Sequence, residues 1–309
     1  MEFEFSIVIP LYNKEKYIAK TLQSVLQQTF QGFEVIVVDD YSQDNSIGEV
    51  KKINDSRIRI ISHSINLGLS ASRNTGIDAS KHNYIAFLDA DDLWDDTFLD
   101  SMAKLIKSYP NEKVFAAHYR EKYGDKTFVP NLNLPKNTYK NQILIDDFFK
   151  NNIGRLIITQ SGLVVHKEVF LRVGYYDPNV TFAEDIDFYI RCFKSFSLAY
   201  LYTPLHSRVV ISGSMAHGLT SSKRHPNLDK YLHISENLDK FIYFNYYCMY
   251  RRMKNERALS EMRHYRKKLK LETLSFIQIL FIITPIPLYH LLISFKRFLL
   301  QKGVHISSY

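Results

Sequence analysis

The stretch Phe33–Asp40 reads FEVIVVDD, an apolar run that ends on paired acids. A strand with so little polar side must be covered on both faces, as strands of parallel sheets are. Similar runs recur with helical segments between them. Phe3–Pro10 predicts a strand. Tyr17, Ile18, Thr21, Leu22, Val25 and Leu26 repeat at helical spacing, with Asn13 placed to cap that helix. Arg57–Ser62 predicts a third strand, Ser70–Ala79 a short helix and Tyr84–Leu88 a fourth strand. Phe98, Met102, Leu105 and Ile106 mark another helix, and Val114–His118 a fifth strand. This alternation implies an α/β fold, a mainly parallel sheet with right-handed crossovers and flanking helices. Ligands of such sheets sit beyond the carboxyl ends of the strands. Asp39 and Asp40, and Asp89 and Asp91, fall at those ends.

The second half is less regular. Ser161–Val165 and Leu198–Tyr202 predict strands and Asp185–Lys194 a helix. Pro226 suits the first turn of a helix carrying Leu228, Tyr231, Leu232, Ser235, Leu238, Phe241 and Ile242. Asn131–Lys140 is the expected flexible loop. Two cysteines, Cys192 and Cys248, without a CxxC pattern exclude a disulfide scaffold and a structural zinc cluster, and fit a reducing compartment. The acidic, alternating N-terminus reads as a strand and not a signal peptide.

Charge is uneven. Residues 251–302 hold twelve basic residues against three acidic ones, more than the whole net charge of +8. Beside them Thr273–Phe295 contains no Asp, Glu, Lys or Arg, and Pro285 and Pro287 interrupt it. Lys267–Lys270 and Lys296–Arg297 flank it on both sides, unlike the one-sided excess of a true span. The expectation is a pair of helices lying in the membrane interface against anionic lipid, not nucleic-acid binding. The part up to Lys270 is expected to fold without this tail.

Four constellations carry chemistry. Asp89-Ala90-Asp91 offers two hard oxygen ligands with no His or Cys nearby, which favours Mg²⁺ or Mn²⁺; on extended chain both carboxylates share one side. A helix-capping acidic turn is the bland alternative. Asp39-Asp40 can accept hydrogen bonds from a base or ribose, while Ser42 or Asp44 caps the next helix. Asn66-Leu67-Gly68 through Arg73-Asn74-Thr75-Gly76 opens a helix with an inward-facing Arg, suited to a diphosphate or to locking the acids by ion pairing. Glu184-Asp185 opens another helix, and a carboxylate left free there is suited to deprotonate an acceptor hydroxyl.

Together these residues resemble glycosyltransferase family 2, the inverting GT-A enzymes. Val8-Ile9-Pro10-Leu11-Tyr12-Asn13 is similar to that family's opening, Asp39-Asp40 to its nucleotide motif, and Asn66–Gly76 to its N-x-G…R-N-x-G stretch. Asp89-Ala90-Asp91 resembles its D-x-D, and Glu184-Asp185 its E-D. The resemblance implies a GT-A catalytic domain over 1–215, with a nucleotide-sugar half to about 118 and an acceptor half beyond it. A helical extension would follow over 216–272 and a membrane-associating segment over 273–303. It implies donor contacts from Pro10, Tyr12, Asn13, Asp39, Asp40, Asn66, Arg73, Asp89 and Arg208, with Asp40 on the nucleobase. Asp91 and, less directly, Asp89 would hold the metal; Asp185 would be the general base and Glu184 would lie on the acceptor side. Arg208 with Ser212 and Ser214 is similar to a later segment near the diphosphate. Sequence and resemblance together lead to a metal-dependent inverting transferase. It would move a sugar from a nucleotide sugar, a UDP-sugar foremost, to a lipid-linked glycan in surface polysaccharide or lipopolysaccharide assembly, at the cytoplasmic face of the cell membrane as a peripheral or monotopic protein. A sugar nucleotidyltransferase would need a Gly-rich loop near the N-terminus, and residues 8–16 contain no glycine. A non-catalytic membrane scaffold has no reason to keep Asp40, Asp89, Asp91 and Asp185 together.

Overall fold

The computed structural model describes residues 4–135, 141–210 and 223–301. Ser212 and Ser214, the end of the Asn131–Lys140 loop, the start of the first strand at Phe3, the boundary at 215–216 and Lys302 lie outside these residues, as do the side chains of Lys296 and Arg297.

The first half alternates strand and helix. In order come β1 (Phe5–Leu11), α1 (Ile18–Leu26), β2 (Phe33–Asp39), α2 (Ser46–Lys51), β3 (Ile58–Ser62), α3 (Leu69–Ala79) and β4 (Tyr84–Phe87). The two-residue β5 (Leu93–Trp94), α4 (Phe98–Ser108) and β6 (Val114–Tyr123) follow. Then come β7 (Lys126–Phe128), β8 (Gln142–Ile145), α5 (Phe148–Asn151), β9 (Leu163–His166), α6 (Lys167–Val173), α7 (Glu184–Phe193) and β10 (Leu198–Val209). The C-terminal part is α8 (Glu236–Glu256), α9 (Leu259–Lys268), α10 (Phe276–Ile283) and α11 (Ile286–Gln301).

The ten strands of the described residues join one sheet in the order β3-β2-β1-β4-β9-β6-β10-β5, with β7 beside β6 and β8 beside β10. β3, β2, β1 and β4 are mutually parallel, and β6 is parallel to β10. β9 runs antiparallel to both β4 and β6. Two reversals restore direction, so β4 and β6 point the same way. Carboxyl ends of β1 to β4, β6 and β10 therefore meet along one edge.

The pleat splits the core. Ile7, Ile9, Val35 and Val37 face α1 and α4, while Val8, Phe87 and Val165 face α3, α7 and α8. α8 belongs to this second layer: Phe241 meets the Phe148 and Phe149 rings at 6.1 and 5.5 Å. The residues expected to form an appended helix are thus part of the main core. That helix begins later than Pro226 predicts. Only a short 3-10 turn covers Asp229–Tyr231, and the Ser235 hydroxyl, accepting from the Leu238 N–H at 3.3 Å, caps α8. Asn13 does not cap α1 either. It adopts φ 51°, and its Oδ1 accepts from the Gln43 N–H at 2.7 Å, tying the β1 loop to the β2 loop.

Gly76 sets how closely α3 lies on β1. A Cβ there would sit 2.2 Å from Val8 Cγ1. Val8 is β-branched and fully buried, so it cannot yield. Gly76→Ala gains about 1 kcal/mol of helix propensity but loses about 1–3 kcal/mol to overpacking. We expect net destabilisation in urea titration; a more stable variant would show that α3 can lift.

Candidate active site

The carboxyl ends of β1, β2 and β3 build one side of the site. Asp40 continues the ladder, its N–H donating to Leu11 O at 2.8 Å. Its side chain turns inward and is almost fully buried. Oδ1 accepts from Leu67 N–H at 2.8 Å and meets His63 Nδ1 at 2.8 Å, and Oδ2 accepts from Gly68 N–H at 2.8 Å. Asp40 therefore anchors the loop that opens α3, and Oδ2 alone has an acceptor position to spare. Asn66 reinforces that loop, its Nδ2 donating to Asp40 O at 3.2 Å. Gly68, at φ 93°, makes the turn in a conformation that would strain another residue. Asp39 is buried as well and accepts weakly from Ser42 N–H. Pro10 is buried in β1 opposite Val38. Asp44 joins the Glu15 and Ser46 N–H groups at 3.0 Å each and so fixes the entry to α2. Tyr12, Tyr41 and Leu67, from three successive strand ends, stay 39, 49 and 48% exposed.

The other side is a chain of acids on one buried base. Arg73, 2% exposed in α3, donates from one terminal nitrogen to Glu184 Oε1 at 2.6 Å and from the other to Asp89 Oδ1 at 3.2 Å, with the Tyr176 ring 5.3 Å from its guanidinium carbon. The residue predicted to face inward thus ion-pairs with two of the proposed motifs at once. Asn74, its neighbour, exchanges hydrogen bonds with the Tyr176 backbone at 2.8 and 3.1 Å, which docks the 174–183 segment on α3. Glu184 and Asp185 open α7 after Ala183, which takes the left-handed conformation at φ 59°. Among the described residues, Asp185 accepts only from its own helix start, Ile186 N–H at 2.9 Å. Burial and the adjacent Glu184 push its carboxyl up to about 7, against the pull of Arg73.

Asp89 and Asp91 do not lie on extended chain. β4 ends at Phe87, and Asp92 N–H bonds back to Asp89 O at 3.0 Å, closing a turn. Asp92 forces that turn. Its carboxylate accepts from Ser161 Oγ at 2.6 Å and from Val209 N–H at 2.8 Å, tying the segment to β10. Burial with Asp89 and Asp91 beside it pushes Asp92 up to about 8. Asp91 is raised too, by burial and then by Asp89, with the Lys14 ammonium ion-paired to it and opposing the shift. Arg208 pairs in register with Glu121 across β10 and β6, within electrostatic reach of Asp92.

This donor set fits a hard divalent cation. Two carboxylates share one turn, and their mutual repulsion is what a cation relieves. Among the described residues, no group of three or more His, Cys, Asp and Glu side chains is arranged to hold a metal alone. Mg²⁺ and Mn²⁺ sites commonly use one or two carboxylates and complete the shell with substrate phosphates and water. Asp91 is the better placed ligand, because its partner Lys14 is a long, partly exposed side chain, whereas Arg73 is fixed on Asp89.

Sequence reasoning missed Lys14, His63, Asp92 and Ser161. His63 follows β3 as Asp40 follows β2, so its place after a parallel strand was a usable signal. It also bridges, with Nε2 3.0 Å from Thr75 Oγ1 of α3. Nothing local marks Ser161, whose partner lies 69 residues away. Arg73→Met leaves Glu184 and Asp89 facing each other without the cation. Losing one partner of a buried pair costs about 3–5 kcal/mol, and Asp89 is partly exposed, so the lower end is expected in chemical denaturation. A loss below about 1 kcal/mol would make the bridge incidental.

Comparison with known proteins agrees with this geometry. The sequence profile of "Glycosyl transferase family 2" matches residues 6–172. The chain is 28% identical over 245 residues to a Bacillus subtilis (strain 168) protein described as the uncharacterized glycosyltransferase EpsJ, covering 78% of this chain and 70% of that one. It is 38% identical over 124 residues to Escherichia coli WfaP, a UDP-Glc:alpha-D-GlcNAc-diphosphoundecaprenol beta-1,3-glucosyltransferase; that match covers 40% of this chain and 48% of the relative. The fold is similar to S. aureus TarS 1-349 in complex with UDP-GlcNAc, with TM-score 0.58 and 19% identity over 79% of this chain and 66% of that one. With the profile covering more than half of the sequence, the chain belongs to glycosyl transferase family 2 and is a glycosyltransferase.

Proposed function

We propose that this enzyme transfers a sugar from a nucleoside-diphosphate sugar to a hydroxyl of a lipid-linked glycan, with inversion at the anomeric carbon, during surface polysaccharide or lipopolysaccharide assembly. The observation that carries the reading is the Asp185 carboxyl. Burial and Glu184 push it up to about 7 against the pull of Arg73, and the Arg73 bridge from Glu184 to Asp89 holds the start of α7 beside the Asp89–Asp91 turn. A base poised near the working pH suits abstraction of a hydroxyl proton. Attack by that hydroxyl from the face opposite the leaving diphosphate inverts configuration.

The other residues divide the remaining work. Tyr12, Tyr41 and Leu67 offer exposed faces to a nucleobase beyond β1, β2 and β3. Asp39 and the spare position on Asp40 suit ribose or base N–H groups. Lys14 and Arg208 bring positive charge to the diphosphate side. Asp91, with Asp89, would hold Mg²⁺ or Mn²⁺, which neutralises charge gathering on the leaving group. A UDP-sugar is favoured by the UDP-GlcNAc bound to TarS, and a lipid-diphosphate acceptor by the name of WfaP. Such an acceptor resides in a bilayer, so the enzyme's place in this reading is the cytoplasmic membrane surface.

Asp185→Asn should keep UDP binding while transfer falls about 10²–10⁴-fold. Transfer at the wild-type rate would reduce Asp185 to a helix-start acid. The proton must be absent from Asp185 for it to act, so kcat/KM should climb with pH and level off above about 7. The same raised value means the folded state holds this proton more tightly. The group's contribution to stability is therefore largest below its ordinary 3.8 and is lost as pH rises through about 7.

Chelation by EDTA should abolish transfer. Asp91→Asn should weaken Mn²⁺-dependent UDP binding in calorimetry. Undiminished activity in excess chelator would remove the metal from the reading.

A further inference from the structure

α10 and α11 carry their apolar rows outward. Phe276, Ile277, Leu280 and Ile283 recur at one-, four- and seven-residue offsets on α10 and are 74, 54, 41 and 65% exposed. Leu288, Leu291, Leu292 and Phe295 repeat at three, four and seven on α11 and are 49, 66, 43 and 58% exposed. The opposite sides, Ile282 and Tyr289, are buried against α8. An ordinary surface helix hides its apolar stripe and shows its polar one. Here two consecutive helices each expose an apolar row, and contiguous exposed apolar surface marks an interaction site.

The pair is fastened to α8. Lys254, 2% exposed, donates from Nζ to the carbonyls of Phe281, Ile282 and Thr284 at 2.6, 3.0 and 2.5 Å. These are carbonyls at the end of α10, where the helix dipole favours a cation. Tyr250 Oη donates to Ile282 O, and Tyr289 Oη to Arg251 O, at 3.3 Å each. The same turn of α8 reaches the active site: the Arg252 guanidinium stacks 4.7 Å from the Phe182 ring, two residues before Glu184. The tail after Lys270 is therefore tied to α8. Its inner side is part of the core, and one helical turn relates its outer side to Asp185.

Charge selects the occupant. Residues 273–295 contain no charged side chain, and α9 just before them exposes Arg263, Arg266 and Lys267, followed by exposed Lys270. A second copy meeting this face about a two-fold axis would bring two such basic flanks together. An anionic lipid surface takes both the apolar rows and the flank. No described helix is long and apolar enough to cross a membrane. Resting on the lipid-linked acceptor reading above, we propose that the outward faces of α10 and α11 seat in one leaflet of an anionic membrane, and that the α8 clamp holds this seat at a fixed attitude to Asp185, so that a membrane-borne acceptor meets the base from the seated side.

The test uses the full chain with sedimenting vesicles of phosphatidylcholine, with or without phosphatidylglycerol. Wild type should pellet with the anionic vesicles, less so in high salt. Leu280→Glu/Leu291→Glu should stay in the supernatant with unchanged UDP binding. Its transfer to a vesicle-borne lipid-diphosphate acceptor should fall about tenfold or more, with transfer to a short-chain soluble analogue kept. Lys254→Met, with UDP binding as the check on folding, should still pellet but lose transfer to the vesicle-borne acceptor selectively. Wild type that ignores both vesicle types would overturn the seat. So would a solution dimer that the Glu substitutions dissociate without any vesicle binding. Lys254→Met that transfers as wild type would overturn the fixed attitude. Failure of donor turnover in every form would instead strike the transferase chemistry, since vesicle binding is read separately.

Discussion

Arg73 is the charge on which the site depends. It is buried, it cannot shed its proton, and its fork reaches Glu184 on one side and Asp89 on the other. Those carboxylates come from segments 95 residues apart that meet nowhere else by a direct ion pair among the described residues. Two consequences follow. The D-x-D turn and the start of α7 are held in one frame, and the Arg73 charge partly offsets the burial that raises Asp185. The Asp185 carboxyl is thereby left at about 7.

The frame beneath Arg73 is steric. Gly76 lets α3 lie against Val8, so the guanidinium one turn earlier is carried to the sheet edge. Asp40 then fixes the opening of the same helix through two backbone N–H groups, and His63 braces Asp40 against Thr75. Asp40 and Glu184 are thus coupled through one eleven-residue helix. Asp92 does the corresponding work for the Asp89–Asp91 turn, locking it to β10 and leaving Asp91 to the outward Lys14. The C-terminal helices extend the same logic: α8 is core on one side, a clamp on the second and a contact to the Phe182 ring before α7 on the third.

Much of this was legible in one dimension. The continuous apolar run located β2 at its observed bounds, because burial on both faces leaves its mark on consecutive residues. The acids at the ends of β2 and β4 were legible because topology sends ligands to that edge. Boundaries failed where a side chain bonded at a distance. Asn13 has the composition of a cap but serves the β2 loop, and Pro226 has the look of a helix start that Ser235 takes instead. β9, inserted antiparallel between β4 and β6, and the extension of β10 to Val209 had no periodic mark beyond their cores.

The sequence alone determined the α/β alternation, the acids at the strand ends, the inward Arg and the apolar, carboxylate-free tail, because each is a pattern among near neighbours. Only the tertiary structure decided that Arg73 joins two acid motifs, that Asp92 anchors its turn to Ser161 and β10, that Lys14 faces Asp91, and that Lys254 fastens α10. Those pairings span from 16 to 117 residues. They form because the fold excludes water and leaves each buried charge or carbonyl to find its partner inside, which no local spacing records.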